Sequence, residues 1–435
     1  MATTGRTAAD IAASVERDLH ARELAPGDAL PPVRALAAEL GVNANTVAAA
    51  YRTLRERGIV ETHGRAGTRI RARPATIRRN DLGPQVPPGT RDLSNGEPDP
   101  VLLPSPVFPE PSDWRPLYRD GALYEPFAEA ARTVLRAGGV GGAHLAATSG
   151  ALDGIERALT AHLRPGDQVA VEDPGWGNLL DLLAALNLTP RPIPVDDDGP
   201  DPVATEAALR AGARAMVVTT RAQNPTGACV SAERAAELRP ILAAHPHVVL
   251  LEDDHGNDIS GLDMHTLTGV GIHWAHIRSA SKAYGPDLRC AVLAGDAVTV
   301  DRIGGRQRLG PGWVSHVLQH AVAHAWTDPE VAERIRFARR TYRVRRTRLI
   351  DALRARGVAS VGRTGINVWI EVPDETTAVA GLLARGWVVA PGSRFRITSA
   401  PGLRITVATL TAEETERLAD AVALAVRTGV GRQTR

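Results

Sequence analysis

Ile277-Arg278-Ser279-Ala280-Ser281-Lys282-Ala283-Tyr284-Gly285-Pro286-Asp287-Leu288-Arg289 contains the single lysine of a 435-residue chain that otherwise carries only arginine as its strong cation. Arginine stays protonated and cannot attack an aldehyde, whereas a buried lysine can lose its proton and form a Schiff base. A lysine-poor chain can keep one lysine by chance. The two serines just before it and Arg289 seven residues on argue otherwise, because hydroxyls and a planar guanidinium suit an anionic group held beside a reactive amine.

Working outward from Lys282, the flanking segments alternate between extended and helical patterns. Residues 151–163, 178–186 and 231–244 read as helices. Residues 168–172, 215–219, 248–252 and 291–294 read as short apolar strands. Such alternation predicts an α/β fold with a mostly parallel sheet covered on both faces, with its ligand site in the loops after the strands. Four loops there carry chemistry. Ser149-Gly150-Ala151 opens a helix with free backbone N–H groups. Glu172-Asp173-Pro174-Gly175-Trp176 presents an aromatic plane. Asn224-Pro225-Thr226-Gly227 offers an amide, and Glu252-Asp253-Asp254-His255 places carboxylates straight after an apolar strand.

Together these residues form an inventory for an aromatic aldehyde phosphate, pyridoxal 5′-phosphate. Lys282 would form the Schiff base, Asp253 would hold the pyridinium N–H, and Asn224 would donate to the ring oxygen. Trp176 would stack on the ring. Ser149, Gly150, Ala151, Ser279 and Arg289 would hold the phosphate. The order and spacing over residues 92–430 resemble fold-type I aminotransferases, the pyridoxal-phosphate-dependent transferase fold with a large domain and a small α+β domain. The resemblance implies that Arg404 grips a substrate or effector carboxylate. It also implies that Val389-Ala390-Pro391-Gly392 closes on the site and that Tyr118 reaches the phosphate of a partner subunit. His255 stands where the family has tyrosine. Histidine can hydrogen-bond the ring oxygen.

The first seventy residues differ in character. Residues 1–79 hold 13 arginines against 8 acids, while the rest of the chain is slightly acidic. That imbalance points to a polyanionic partner for the N-terminal segment. Residues 7–22 read as an amphipathic helix with Ile11, Val15 and Leu19 on one stripe. Pro31-Pro32 start a second helix that Gly41 ends, and Asn43 or Asn45 caps a third carrying Val47, Tyr51 and Leu54. Two short strands at 59–62 and 68–71 flank His63-Gly64-Arg65-Ala66-Gly67. Helix, turn, helix and hairpin make a winged helix-turn-helix. The run from Pro31 to Val60 resembles the GntR family of bacterial regulators. By that resemblance the third helix enters the DNA major groove. Asn45, Thr46 and Arg52 are then candidates for base or phosphate contact, Arg34 for a phosphate, and Arg65 for the minor groove. Tyr51 reads as core.

The domain boundaries expected are a winged helix over 1–73, a Pro/Gly-rich linker over 74–91 and an aminotransferase-like, cofactor-binding domain over 92–430. No apolar run is long enough for a membrane span. Cys229 and Cys290 read as small buried residues. With no signal-like start, a cytoplasmic chain is expected. His316, His320 and His324 lie at helical spacing, but no cysteine or carboxylate accompanies them at ligand spacing. They read as a polar helix face, and no metal site is expected.

A GntR-like winged helix fused to an aminotransferase-like body resembles the MocR family of transcription regulators, and motifs such as Trp313-Val314-Ser315-His316 resemble its PtsJ subgroup. The resemblance implies a homodimer that binds a double-stranded DNA operator. It would sense pyridoxal 5′-phosphate or an amino compound through Lys282 and control vitamin B6 or amino-acid metabolism. The alternative is a working aminotransferase that carries a DNA-binding domain.

Overall fold

The computed structural model describes residues 3–20, 24, 27–56, 59–62, 67–70, 86–110, 114 and 116–430. The chain divides into two compact units. One comprises residues 1–82 with segments 164–167 and 181–189, and the other residues 83–163, 168–180 and 190–435.

In the first unit, α1 (Ala8–His20), α2 (Val33–Leu40) and α3 (Ala44–Glu56) precede the antiparallel pair β1 (Val60–Thr62) and β2 (Thr68–Ile70). Ile11, Val15, Leu36, Val47, Leu54 and Ile70 are fully buried in one cluster, as the apolar spacing predicts. Gly41 closes α2 in the left-handed region at φ 64°, where glycine avoids the Cβ penalty. The Oδ1 of Asn43 accepts from the Asn45 N–H at 2.8 Å, so Asn43 rather than Asn45 caps α3. Tyr51 is buried and its hydroxyl donates to the Pro31 carbonyl at 2.8 Å. Residues 63–66, including Arg65, and most of the expected linker lie outside the described residues.

From residue 91 onward the order is β3 (Arg91–Asp92), α4 (Glu125–Ala137), β4 (His144–Thr148), α5 (Ala151–His162), β5 (Gln168–Asp173), α6 (Gly177–Ala185), β6 (Thr189–Asp196), β7 (Gly199–Pro200), α7 (Pro202–Arg210), β8 (Ala213–Thr219), α8 (Ala232–Ala244), β9 (Val249–Asp254), α9 (Asn257–Ser260), β10 (Trp274–Ser279), α10 (Ser281–Tyr284) and β11 (Ala291–Gly295). Eight strands form one sheet in the order β4-β11-β10-β9-β8-β5-β6-β7. Strands β5, β8, β9 and β10 run parallel, whereas β11 runs antiparallel to both neighbours. The parallel strands therefore deliver their carboxyl ends, and the loops that follow them, to one edge. Separate apolar clusters cover the sheet. Phe127, Leu135, Val292, Val322 and Tyr342 belong to one, and Leu209, Met216, Leu238 and Leu250 to another.

The chain continues through α11 (Ala297–Arg308), α12 (His316–Thr327) and the long α13 (Pro329–Ala355). It then builds a smaller subdomain from β12 (Asn367–Glu371), α14 (Glu375–Leu383), β13 (Trp387–Val388), β14 (Ala390–Pro391), β15 (Gly402–Thr406) and α15 (Ala412–Val430). Its sheet has the order β12-β15-β14, and Leu353, Val368, Leu403, Ile405 and Leu418 fill its core. Arg91, assigned by composition to the linker, is already in β3, paired with Trp387 of β13.

Two of the three histidines of α12 are enclosed by aromatic rings, while His324 is partly exposed beside Asp328. His316 is buried against Tyr124 and Trp313, and His320 packs edge-on to Trp114 with ring centres 5.6 Å apart. Both cysteines are buried. Among the described residues no helix is long and apolar enough to cross a membrane.

Candidate cofactor and effector site

Strands β9 and β10 are parallel neighbours, with Ile277 in register with Asp253. Side chains alternate across a sheet, so Asp253 faces one side while Glu252 and Asp254 face the other, among His276 and Arg278. Asp253 is 2 % exposed. Its Oδ2 lies 2.9 Å from the Nδ1 of His255. Its Oδ1 is buried with no hydrogen-bond partner among the described residues. A buried carboxylate oxygen left unpaired is costly, so its position marks where a donor is missing.

Lys282 lies in the single turn of α10, directly after β10, and its Nζ donates to the Gly96 carbonyl at 2.6 Å. Burial, helped by the positive charge of Arg404, pushes its pKa down to about 8, against the opposing pull of Glu97 and Asp253. Asn224, in the loop after β8, accepts at Oδ1 from the Nη1 of Arg404 at 3.0 Å, which leaves its amide N–H groups as donors. Gly96, Asn224, His255 and Lys282 line one cavity together with Thr364 and Asn367, about 340 Å³ of empty space. Trp176 and Asp253 line another of about 290 Å³, with Glu172 and Thr219. The Trp176 ring centre is 6.2 Å from that of His255, with the planes 35° apart.

Arg404 sits mid-strand in β15 and is buried. Besides Asn224 it donates to the Ser94 carbonyl, and its guanidinium carbon lies 4.7 Å from the centre of the Phe395 ring. Burial, then Arg394, push its pKa down to about 9. Gly96 has φ 69° and a Cβ there would lie 3.0 Å from the Arg404 Nη1, so any other residue would be strained and would press on that guanidinium.

Ser149, Gly150 and Ala151 lead into α5, and Gly150 has φ 95°. The Nη2 of Arg289 donates to the Ser149 carbonyl at 2.8 Å, and a Cβ on Gly150 would lie 2.7 Å from that nitrogen. Thr148, Ala291 and Ser279 lie side by side across β4, β11 and β10, so the Ser279 end and the Ser149 loop share an edge. The Ser279 hydroxyl bonds that of Ser281 at 3.1 Å. Tyr118 lies elsewhere. It is 92 % exposed, edge-on to Trp313.

Two carboxylates in this region have no role in the sequence reading. Glu172 accepts from the Thr219 N–H at 3.2 Å, and burial pushes its pKa up to about 7. Asp173 receives donors from 397–399, more than two hundred residues on. Neither has a spacing signal, because their partners are distant in sequence. In the first unit, Arg34, Asn45 and Arg52 are exposed and Thr46 is half-buried, all on α2 and α3.

Residues 142–422 match aminotransferase class I and II, and residues 7–70 match the bacterial regulatory proteins of the gntR family. The vitamin B6 salvage pathway transcriptional repressor PtsJ of Salmonella typhimurium is 42% identical over 422 residues, covering 95% of this chain and 97% of the repressor. This chain belongs to the MocR family. The pyridoxine biosynthesis transcriptional regulator PdxR of Corynebacterium glutamicum is 26% identical over 76% of this chain and 75% of its own length. The fold of the MocR body is that of solved aminotransferases. One is LysN, an α-aminoadipate aminotransferase from Thermus thermophilus complexed with N-(5′-phosphopyridoxyl)-L-leucine. It has a TM-score of 0.69 at 20% identity, covering 82% of this chain and 96% of LysN.

Proposed function

We propose that this MocR protein is a DNA-binding transcription regulator of vitamin B6 metabolism that takes pyridoxal 5′-phosphate in its aminotransferase-like domain. The observation that carries the reading is the 42% identity to a vitamin B6 salvage repressor, which runs through both the winged helix and the body. Two features of the residues named for the cofactor suit it. Asp253 Oδ1 is a buried acceptor that lacks a donor, and Gly150 keeps the Arg289 grip free of a Cβ.

When bound, pyridoxal phosphate supplies an aldehyde that amines capture reversibly and a ring that withdraws electrons. The chain's own residues set the terms. Lys282, depressed to about 8, presents a neutral amine far more often than an ordinary lysine does. Asp253 accepts from a ring N–H, steadied by His255, and Asn224 donates to a ring oxygen. Ser149, Gly150, Ala151, Ser279 and Arg289 hold the phosphate, and Trp176 covers the ring. Arg404 grips the carboxylate of an amino effector. Uptake of the cofactor aldehyde by Lys282, or its surrender to an amino effector with release of the lysine amine, would bias the equilibrium between two states of a homodimer and so its operator affinity. Tyr118 would complete the partner's site. On the DNA side, Asn45, Thr46 and Arg52 would meet the major groove and Arg34 and Arg65 the flanking backbone and minor groove.

Operator titrations of the full chain with and without pyridoxal phosphate test this. The expected result is a cofactor-dependent shift in operator affinity that Lys282→Ala abolishes. An identical response in the variant would refute the role of Lys282. A second reading, an aminotransferase that also binds DNA, is favoured by one contact, the Arg404–Asn224 bond that holds a buried guanidinium against a cavity-lining amide. Multiple turnovers with an amino donor would support it, and a single half-reaction at most would count against it.

A further inference from the structure

Asp173 is the last residue of β5, three positions before Trp176, and is 4 % exposed. No arginine, lysine or histidine lies within ion-pair distance of it among the described residues. Its carboxylate instead collects five hydrogen bonds from a short segment of the smaller subdomain. Oδ1 accepts from the Ile397 N–H at 2.9 Å and the Ser399 hydroxyl at 2.7 Å. Oδ2 accepts from the Thr398 N–H at 2.7 Å, the Thr398 hydroxyl at 2.8 Å and the Ser399 N–H at 2.9 Å. Burial alone would raise the pKa of this carboxyl, yet these donors hold it below the ordinary aspartate value.

The same two segments meet twice more. The Gly175 N–H donates to the Phe395 carbonyl at 2.7 Å. A Cβ on Gly177 would lie 2.5 Å from the Arg394 carbonyl oxygen, so backbone free of side chains brings the two segments together. Phe395 in turn places its ring against the Arg404 guanidinium. Asp173 thus fastens the loop that carries Trp176 to the loop that carries Phe395.

We infer that Asp173 is a positioning residue that clasps the carboxylate-gripping wall (Phe395, Arg404) onto the end of β5, setting affinity for an amino-acid effector while leaving affinity for the cofactor itself to the large sheet. The inference rests on the cofactor reading given above. Lys282, Asp253, Asn224, Ser279 and Arg289 all lie on or beside the eight-stranded sheet, so their hold on ring and phosphate does not pass through 397–399. Arg404 is on β15, which follows that segment directly.

The test uses the full-length protein and two probes measured by calorimetry, pyridoxal 5′-phosphate and N-(5′-phosphopyridoxyl)-L-alanine, which adds an amino-acid carboxylate. Asp173→Asn keeps the shape but sets an amide NH2, in place of one acceptor oxygen, against N–H donors. The variant is expected to bind the alanine conjugate about tenfold more weakly than wild type, an energy of ~1.4 kcal/mol. Its affinity for pyridoxal phosphate should stay within about twofold, a split below ~0.4 kcal/mol. Ser399→Ala removes one hydroxyl and keeps the backbone donors. It should show the same selective loss, about threefold, and it stands alone should Asp173→Asn fail to fold. Parallel loss of both probes would assign Asp173 a general structural role and overturn the clasp, as would no change in either variant. Wild-type protein that binds neither probe would refute the cofactor reading itself, and the clasp with it.

Discussion

The Nη1 of Arg404 and the Oδ1 of Asn224 lie 3.0 Å apart, joining β15 of the smaller subdomain to the loop after β8 of the large sheet. A second guanidinium nitrogen is spent on the Ser94 carbonyl. The arginine is therefore aimed before any ligand arrives, which removes the rotamer cost of ordering it on binding. Arg404→Lys keeps a cation but loses the fork that makes both bonds. It should weaken binding of a carboxylate-bearing amine by about tenfold or more, ~1.4 kcal/mol upward. The affinity for pyridoxal phosphate, which has no such carboxylate, should change little. Calorimetric titration of both ligands checks this.

Lys282 makes a pH prediction with a definite sign. Its folded pKa of about 8 lies below the ~10.4 of a free lysine. At pH 7 roughly one molecule in ten carries the neutral amine, against about one in 2,500 for an ordinary lysine. The rate of capture of pyridoxal phosphate, followed by stopped-flow absorbance, should rise through an inflection near pH 8 and level off above it. The same shift acts on stability. Between about 8 and ~10.4 the unfolded chain binds more protons than the folded one, so the cofactor-free protein should gain stability as pH rises through that window. An inflection near the free-lysine value would contradict the buried environment.

On the proposed reading, Asp253 trades stability for binding. One of its oxygens is buried and unpaired, an arrangement that costs on the order of 1–3 kcal/mol. Asp253→Asn should leave the melting temperature of the cofactor-free protein unchanged or raised, because it removes a buried charge while an amide can still meet His255. The variant should bind pyridoxal phosphate at least about tenfold more weakly, since the charge-assisted bond to the ring is lost. A thermal-shift series with and without cofactor would show both effects. A lower melting temperature without cofactor would argue that the carboxylate serves the fold.

The winged helix separates electrostatic from packing roles. Replacing exposed Arg52 or Arg34 by alanine should lower the slope of log affinity against log salt by about 0.9 for each phosphate that the arginine neutralises. Tyr51→Phe removes a buried hydroxyl bonded to Pro31, and should cost about 1 kcal/mol of stability while leaving that slope alone. Operator binding over a salt series, with chemical denaturation alongside, distinguishes the two classes.

The winged helix is legible in the sequence because local signals suffice for it: Gly41 ends one helix, Asn43 caps the next, and Ile11, Val15 and Val47 repeat at helical spacing. The positions of Lys282, Asp253 and Asn224 at or just beyond the ends of strands are legible because apolar runs of a parallel sheet lead into them. Other features depend on tertiary pairing that a linear reading does not carry. The run Ala291–Gly295 is equally apolar in either direction, so the reversal of β11 leaves no mark on composition. Asp173 looks like an ordinary loop acid, and its donors stand 224 to 226 positions away. His316 and His320 keep a helical spacing, but the aromatic residues that enclose them come from segments around 114–124 and 313.

The amine of Lys282, tied to the Gly96 carbonyl within the cavity, is the chain's one side-chain amine. Acetylation, carbamylation or conjugation of a tag to a lysine side chain therefore has a single address in this protein, and that address is the amine proposed to receive the cofactor. Acylation there removes both the positive charge and the nucleophile. For this chain, marking a lysine and silencing the proposed receptor would be one event, and a mass spectrum of the peptide that holds residue 282 counts it.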